Sequence, residues 1–478
     1  MTLGATLRRV RVRPRMRIRE LVLLASVSMA LVVGWASLAS HVAGSLTLGR
    51  QFSHLVLYLG AVFAVHLAFV VAGRRTDQLL LPVIALLGGL SLLLMERLPQ
   101  GLATQDMGGV ELGLASLQLL WLGVAMLLVA AIAIGVRSDG WLRYYKYTWA
   151  AVGVGLLLLV FVLGEETNGA RLSLRIGPLQ GQPSELLKVI LVVFLAGYLA
   201  DNRTLLAQAS TRFGPIKLPP VPYLLPMVAM WGIALAVVIF QRDLGAALLF
   251  FSIFLTLLYV ATRRASYVVL GGLLFVGGSS VLYFVFGHVQ DRVDIWIDPF
   301  VDPLDRGFQI IRALYAFGRG GIVGTGLGAG LPQVGESLAI PAVHTDFVFT
   351  ALSEELGLLG GFVILGLYLV IAERGLRIAA AADDDFRALL AAGLTLVIVL
   401  QAAIIAGGNL RVFPLTGITL PFISYGGSSL LANAIVIGLL LALSDRGPER
   451  LAAPSAGRRR GFRAGMRAVG GRIEKVIS

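Results

Sequence analysis

Phe386-Arg387-Ala388-Leu389-Leu390-Ala391-Ala392-Gly393-Leu394-Thr395-Leu396-Val397-Ile398-Val399-Leu400-Gln401-Ala402-Ala403-Ile404-Ile405-Ala406-Gly407 carries one charge, at its edge, and is otherwise almost wholly apolar. As a helix, a stretch of about 20 such residues spans the roughly 30 Å hydrocarbon core of a bilayer. Unpaired backbone groups are costly in lipid, so a helix is the structure this segment adopts there. The same reading repeats along the chain. Twelve spans are predicted, at approximately 21–39, 54–72, 78–95, 112–136, 146–163, 184–200, 222–240, 243–262, 265–287, 345–373, 386–407 and 422–444. The pair at 222–262 is divided only by Gln241-Arg242-Asp243, so the count of twelve requires a tight turn there.

The composition of the whole chain agrees. Its 478 residues are 57% hydrophobic and 14% charged, whereas water-soluble domains run about 45–50% apolar and roughly 25% charged. No cysteine is present, which excludes disulfide scaffolds, thiolate metal sites and cysteine nucleophiles. The net charge of +13 comes from basic residues lying between apolar blocks rather than on one soluble face. That distribution argues against nucleic acid as a partner.

Charge alternation fixes an expected topology. With the N-terminus in the cytoplasm, the arm from Arg8 to Arg19, the connections carrying Arg74/Arg75, Arg137/Arg143/Lys146, Arg203/Arg212/Lys217, Arg263/Arg264 and Arg374/Arg377/Arg387, and the tail from Arg446 to Lys475 all face inward. That places 29 of the 40 Lys and Arg residues on one side, as the positive-inside rule requires. Both termini are expected in the cytoplasm of a multi-pass protein of the cytoplasmic membrane. The first span is too long for the apolar region of a signal peptide and is read as an anchor. The basic arm and tail are expected to meet anionic membrane lipids or to be disordered.

Polar residues gather in an outward-facing loop, 288–344. Within it Gly307–Phe317 reads as an amphipathic helix, with Phe308, Ile311, Leu314 and Tyr315 on one stripe. Such a helix lies in the interface or re-enters the bundle. A glycine run, Gly318 to Gly330, follows; it succeeds no strand, so dinucleotide binding is not indicated. The loop is also acidic, with Asp291, Asp294, Asp298, Asp302, Asp305 and Glu336. Asp298 and Asp302 each precede a proline, which suits a turn before a helix as well as a chemical role. Inside or at the mouths of spans stand Glu185 and Lys188, three apart and able to neutralise each other, Asp243, Asp346, Glu354 and Glu355. His66 stands alone in its span and reads as a packing histidine. No Walker A, H-E-x-x-H or G-x-S-x-G motif occurs. Bond-forming chemistry on the outer side, where no nucleoside triphosphate is available, requires a substrate that brings its own leaving group.

Several motifs together resemble the SEDS family (shape, elongation, division and sporulation). Asn168-Gly169-Ala170-Arg171 with Gln182-Pro183-Ser184-Glu185-Leu186-Leu187-Lys188 resembles its G-A-x-R-W-I…Q-P-S-E-x-x-K segment. Gln241-Arg242-Asp243-Leu244-Gly245 resembles Q-P-D-L-G. Val301-Asp302-Pro303-Leu304 with Gly307-Phe308-Gln309 resembles D-P-[FL]-G-x-G-[YF]-Q. Ile340-Pro341, His344-Thr345-Asp346-Phe347 and Glu354-Glu355-Leu356-Gly357 resemble P-E-x-H-T-D-F…E-E-L-G, and Pro414 to Ser429 is close to the family's longest motif. Three departures stand out. Leu172-Ser173-Leu174 replaces R-W-I, leaving Arg171 and Arg175 as alternative basic residues. Arg242 replaces a proline, and Asp305-Arg306 replace small residues just after Asp302.

The resemblance implies an all-α polytopic fold: a ten-helix core over 78–445 that contains the extracellular loop 288–344, preceded by two additional helices (21–77) and flanked by the basic arm (1–20) and tail (446–478). It implies a peptidoglycan glycosyltransferase that polymerises lipid II, with undecaprenyl pyrophosphate as leaving group and a class B penicillin-binding protein as partner. Asp302 matches the family's loop aspartate and is expected to act as general base, its pKa raised by desolvation near lipid. Arg171, Arg175, Glu185, Lys188, Gln309, His344, Asp346, Glu354, Ser428 and Ser429 are the expected substrate-binding residues. No protein metal site is expected; Mg2+ or Mn2+ beside the pyrophosphate is left open. A lipid II flippase, a general secondary transporter and a non-enzymatic scaffold are the competing readings. The transporter reading predicts paired inverted repeats, and none is found in the sequence.

Overall fold

The apolar blocks fold as helices, and the ends of those helices decide the site. The computed structural model describes residues 16–41, 45–106, 109–167, 170–176, 179–207, 211–213, 216–218, 225, 228–229, 232–233, 235–236, 239, 243–330, 333–334 and 337–445. In chain order the helices are α1 (Ile18–His41), α2 (Ser45–Val71), α3 (Leu80–Arg97), α4 (Leu114–Gly135), α5 (Gly140–Tyr144), α6 (Lys146–Leu163), α7 (Pro183–Ala207), α8 (Leu244–Thr262), α9 (Ala265–Val285), α10 (Gly287–Ile297), α11 (Phe308–Gly320), α12 (Val348–Ala380), α13 (Asp385–Asn409) and α14 (Gly427–Ser444). All but α5, α10 and α11 are long and apolar enough to cross a membrane, which makes eleven spans among the described residues. The predicted span at 222–240 falls largely outside those residues; the described positions within it, from Leu225 to Ile239, are helical. Helices α7 and α8 run parallel, since Gln182 meets Asp243 at one end and Arg203 meets the carbonyl of Ala261 at the other. The connection between them therefore returns across the bundle. The predicted turn residues Gln241 and Arg242, most of the arm 1–20 and the tail 446–478 lie outside the described residues.

The helical expectation needs one amendment. Short antiparallel strands occupy the connections: β1 (Gln105–Asp106) with β2 (Glu111–Leu112), a three-stranded sheet of β3 (Glu165–Thr167), β4 (Ala170–Ile176) and β5 (Leu179–Gly181), β6 (Thr211–Phe213) with β7 (Ile216–Leu218), and β8 (Gln333–Val334) with β9 (Ser337–Leu338). These pairs satisfy backbone groups where the helices end.

Helices α3, α7 and α13 are the most buried and form the centre, whereas α9 exposes its apolar residues on nearly every side, as a lipid-facing helix does. Many polar groups inside the bundle are paired, because an unpaired one is costly there. Gln118 Nε2 donates to Ser91 Oγ (2.7 Å), and Tyr368 Oη donates to the carbonyl of Pro421 (2.6 Å).

The two N-terminal helices are bolted to the core rather than loosely added. Arg17, part of the arm expected to meet anionic lipids or to be disordered, is buried and donates to the carbonyls of Arg74 (3.2 Å), Thr76 (3.1 Å) and Asp77 (3.0 Å). It also pairs with Glu20 of the first turn of α1. His66 is not a packing histidine. Its Nδ1 lies 2.6 Å from Glu20 Oε1, because a fully buried carboxylate demands partners. Asp77 in turn pairs with Arg374 (2.6 Å) and Asp445 with Arg74 (2.7 Å). At the opposite end, Ser37 of α1 donates to the carbonyl of Leu327 in the glycine run (3.1 Å).

Helix α12 breaks at Gly357, with φ 71° and ψ −174°. The glycine run docks on that break: the amides of Thr325 and Gly326 donate to the carbonyls of Glu354 and Glu355 (3.1 and 2.9 Å), and those of Leu358 and Leu359 donate to Gly321 and Ile322 (2.9 and 3.1 Å). A Cβ at Gly357 would lie 2.3 Å from the amide nitrogen of Gly324. Gly357→Ala is therefore expected to destabilise the protein by about 1–3 kcal/mol from the backbone conformation alone, with the clash in addition. Thermal unfolding in detergent reads this; an unchanged midpoint would show that the break accommodates a side chain.

Candidate functional site

Three polar clusters lie at the end of the bundle where the loop 288–344 emerges. The first is built on the N-terminal half of α7. Lys188 is 1% exposed, and its Nζ donates to Glu185 Oε2 (2.6 Å), Gln401 Oε1 (2.8 Å) and Asn433 Oδ1 (3.0 Å). The expected Glu185–Lys188 neutralisation is thus present, enlarged by two amides from α13 and α14. Asn433 Nδ2 donates to Ser429 Oγ (3.2 Å), which lies 2.6 Å from Thr419 Oγ1. Ser428 Oγ accepts from the amide of Gln182 (3.0 Å). Glu185, Lys188 and Ser429, the last far from the others in sequence, belong to one side-chain network, and Ser428 ties the start of α7 beside it.

The second cluster joins Asp243, Asp346 and Arg292. Asp243 caps α8, its Oδ1 accepting from the Ala246 amide (2.9 Å). Asp346 is fixed through its backbone carbonyl, which accepts from Asn409 Nδ2 (2.9 Å). Burial pushes both carboxyls above the usual carboxylate range. Arg292 is the cation whose field opposes that rise at both, and its Nη1 donates to the carbonyl of Leu415 (2.9 Å). His344 packs beside Tyr425, with ring centroids 6.1 Å apart. Its buried Nδ1 has no hydrogen-bond partner among the described residues, and burial lowers its pKa.

The third cluster holds Asp302. Asp298 caps the 3-10 turn Pro299–Val301 through the Phe300 amide (2.9 Å), so its turn-forming reading holds. Asp302 ends the turn, and its carbonyl accepts from the Gly307 amide (2.8 Å). The chain doubles back so tightly that a Cβ at Gly307 would lie 2.0 Å from the Pro299 carbonyl oxygen. Asp302 Oδ2 accepts from Arg306 Nε (3.0 Å), and Arg306 Nη1 donates to Asp291 Oδ1 (2.6 Å). The expected desolvation of Asp302 is not found. Its side chain is 30% exposed, and the Arg306 guanidinium holds its carboxyl below the usual range. Gln309 follows in the first turn of α11, half-buried.

A helix, α11, forms where an amphipathic one was expected, but the face it buries is Ile310, Ile311, Ala313 and Ala316, with Tyr315 exposed; it is held by Arg319, which pairs with Glu354 of α12 (3.0 Å). Arg97 of α3 pairs with the adjacent Glu355. Glu354 therefore anchors the loop helix. Arg171 and Arg175 lie on β4, opposite Glu166 and Gln180 in register; the Arg171 side chain is outside the described residues, and that of Arg175 is exposed.

Helix α10 is the part that sequence reasoning missed. It was read as the start of a loop, although Val289, Val293 and Trp296 have helical spacing. Neighbouring residues on it serve two clusters: Asp291 reaches Arg306, and Arg292 faces Asp243 and Asp346. Trp296 Nε1 donates to the carbonyl of Arg411 (3.1 Å), and Arg411 Nε returns a bond to the carbonyl of Trp296 (2.7 Å). This docks α10 on the α13–α14 connection.

These donors do not make a metal cage. Among the described residues no three His, Cys, Asp or Glu side chains gather as a metal site. The acids closest to suitable positions, Asp291 and Asp302, already share a guanidinium.

A polytopic helical bundle that gathers acids, a buried lysine and arginines at one end defines a membrane protein with a polar site at its surface. A family model described as "Cell cycle protein" and named for FtsW, RodA and SpoVE matches residues 77–447. The chain belongs to that family. It is 40% identical over 438 residues to the peptidoglycan glycosyltransferase RodA of Mycobacterium tuberculosis, covering 90% of this chain and 91% of that one. Among solved structures, it resembles a chain from a peptidoglycan synthase complex that coordinates polymerization and crosslinking (TM-score 0.61, 27% identity, 77% of this chain and 98% of that one). It also resembles the rod shape determining protein RodA of Thermus thermophilus (TM-score 0.52, 25% identity, 77% and 97%). The family match leaves α1 and α2 outside it.

Proposed function

We propose that this chain is a peptidoglycan glycosyltransferase that polymerises lipid II at the outer face of the cytoplasmic membrane, with both termini in the cytoplasm. The observation that carries the reading is the placement of Asp302. It ends a tight turn at the mouth of the polar site, on a loop braced by α10 and α11. Curated relatives are named for this activity.

Lipid II arrives with a pyrophosphate already attached to its sugar, so no nucleotide is needed. The acceptor 4-hydroxyl attacks the donor anomeric carbon, and Asp302 takes its proton. Inversion at that carbon needs one base and positive charge for the departing pyrophosphate. Arg306 is the arginine nearest the base; Arg171 and Arg175 on β4 are further sources of positive charge. The Lys188 network and Arg292 hold α7, α8 and α10 in register around the site. A class B penicillin-binding protein is the proposed partner, consistent with the likeness to a chain of a synthase complex.

Purified protein supplied with lipid II and the partner is expected to yield glycan strands. Absence of product, with lipid II intact, would overturn the reading. A flippase is the second reading, favoured by the charged network buried around Lys188. Movement of labelled lipid II across reconstituted vesicles without glycan synthesis would establish it instead.

A further inference from the structure

Arg306 holds two carboxylates at once, Asp302 and Asp291, and both pairs are open to solvent: the three side chains are 49%, 30% and 49% exposed. Ion pairs this exposed are weak and exchange readily for a better partner. For a guanidinium that better partner is a diphosphate, whose oxygens accept two parallel N–H bonds and which as a whole carries two negative charges against one for a carboxylate. The charged groups on the elements packed around Asp302 are His288, Asp291, Arg292 and Asp294 on α10, Asp298 at the turn, and Asp305, Arg306 and Arg312 at the start of α11. Most are acids. Among the cations, Arg292 is turned to the Leu415 carbonyl (2.9 Å) and Arg312 lies over the Phe308 ring (5.1 Å). Arg306 is thus the cation of this set that meets Asp302.

We propose that Arg306 changes partner during the reaction, leaving Asp302 and Asp291 for the diphosphate of the incoming lipid-linked donor and thereby freeing Asp302 as the base. This rests on the glycosyltransferase reading with Asp302 as proton acceptor. While Arg306 is bound to it, Asp302 is a poor base, since the guanidinium favours the ionised carboxyl. Once the guanidinium has moved, the contact that favours the ionised carboxyl is gone, and the proton affinity of Asp302 rises at the moment a proton must be taken. The acceptor oxygen forms its bond to the anomeric carbon as the bond from that carbon to the diphosphate oxygen breaks. The hydroxyl proton passes to Asp302, and the bonding electron pair leaves with the diphosphate, whose charge rests against Arg306. Donor binding and base activation are one event, so Asp302 is unmasked only when a leaving group is in place.

The test is the pH dependence of lipid II polymerisation by the wild-type chain, Arg306→Ala, Arg306→Lys and Asp302→Asn, each with the partner protein. In the free wild-type enzyme Arg306 keeps Asp302 ionised to low pH, so the acidic limb of kcat/KM lies below the usual carboxylate range. Arg306→Ala is expected to move that limb to higher pH and to raise KM for lipid II about tenfold or more, the worth of a hydrogen bond to a charged group. Arg306→Lys restores part of KM, as a point charge without the bidentate fork. Arg306 is half exposed, so its substitution is expected to leave the unfolding temperature unchanged. An Arg306→Ala enzyme with wild-type KM and an unmoved acidic limb overturns the proposal, even if kcat falls. That outcome is distinct from failure of the underlying reading, in which the wild-type chain makes no glycan or Asp302→Asn polymerises normally.

Discussion

Asp302→Asn is expected to slow lipid II polymerisation by about 10²–10⁴-fold, the range that a positioned general base supplies, while leaving the protein folded. The carboxamide has the same shape, and its oxygen can still accept from Arg306 Nε, where Asp302 Oδ2 now accepts at 3.0 Å. The side chain is 30% exposed, so neither desolvation nor loss of packing accompanies the change. What disappears is a site for the acceptor's proton. Rate and unfolding temperature must be measured on the same preparation. A variant within threefold of wild type would assign the base to another acid, with Asp291 next because it shares the same guanidinium. A variant that loses its fold along with its rate would show instead that Asp302 holds the turn.

Lys188→Met should have the opposite signature, a large loss of stability. Its ammonium is the hub of the network on α7, with Glu185, Gln401 and Asn433 as its acceptors. Removing one partner of a buried ion pair leaves an uncompensated charge, at a cost of about 3–5 kcal/mol. The Glu185 carboxyl, 13% exposed, would carry most of that cost. Lys188→Met combined with Glu185→Gln removes both charges and is expected to recover a substantial part of the loss. Thermal unfolding in detergent of the two single variants and the pair reads this as a double-mutant cycle. Equal stability of Lys188→Met and wild type would mean that the network does not hold α7, α13 and α14 together.

These two side chains also mark how far the sequence could be read. The Glu185–Lys188 pair was legible because residues three apart on a helix are neighbours on one face whatever the tertiary fold. Its other two partners were not: Gln401 and Asn433 lie 213 and 245 residues away, and nothing local specifies which helices pack on α7. Asp302 was legible as a motif position, but its electrostatics were read with the wrong sign. Proximity to lipid suggested a raised pKa, whereas the side chain of Arg306, four residues on, folds back over it. The one hint was that Arg306 stands where the family favours a small residue. The Glu354 position was legible, and its partner Arg319 was not, because that pair forms only when α11 folds back against α12.

By itself the sequence determined the membrane setting, the placement of the eleven spans within the described residues and the presence of a helix at α11. Each of these follows from short-range properties: hydropathy over about 20 residues, helical periodicity within a few turns, and charge at span ends. Only the tertiary structure decided which polar groups meet. It recruited Arg292 from an unread helix to face Asp243 and Asp346, joined His66 to Glu20, and set the glycine run against the break at Gly357. The physical reason is that a charge in a low-dielectric bundle must find a partner somewhere. The helix that supplies it is chosen by packing, which local sequence does not encode.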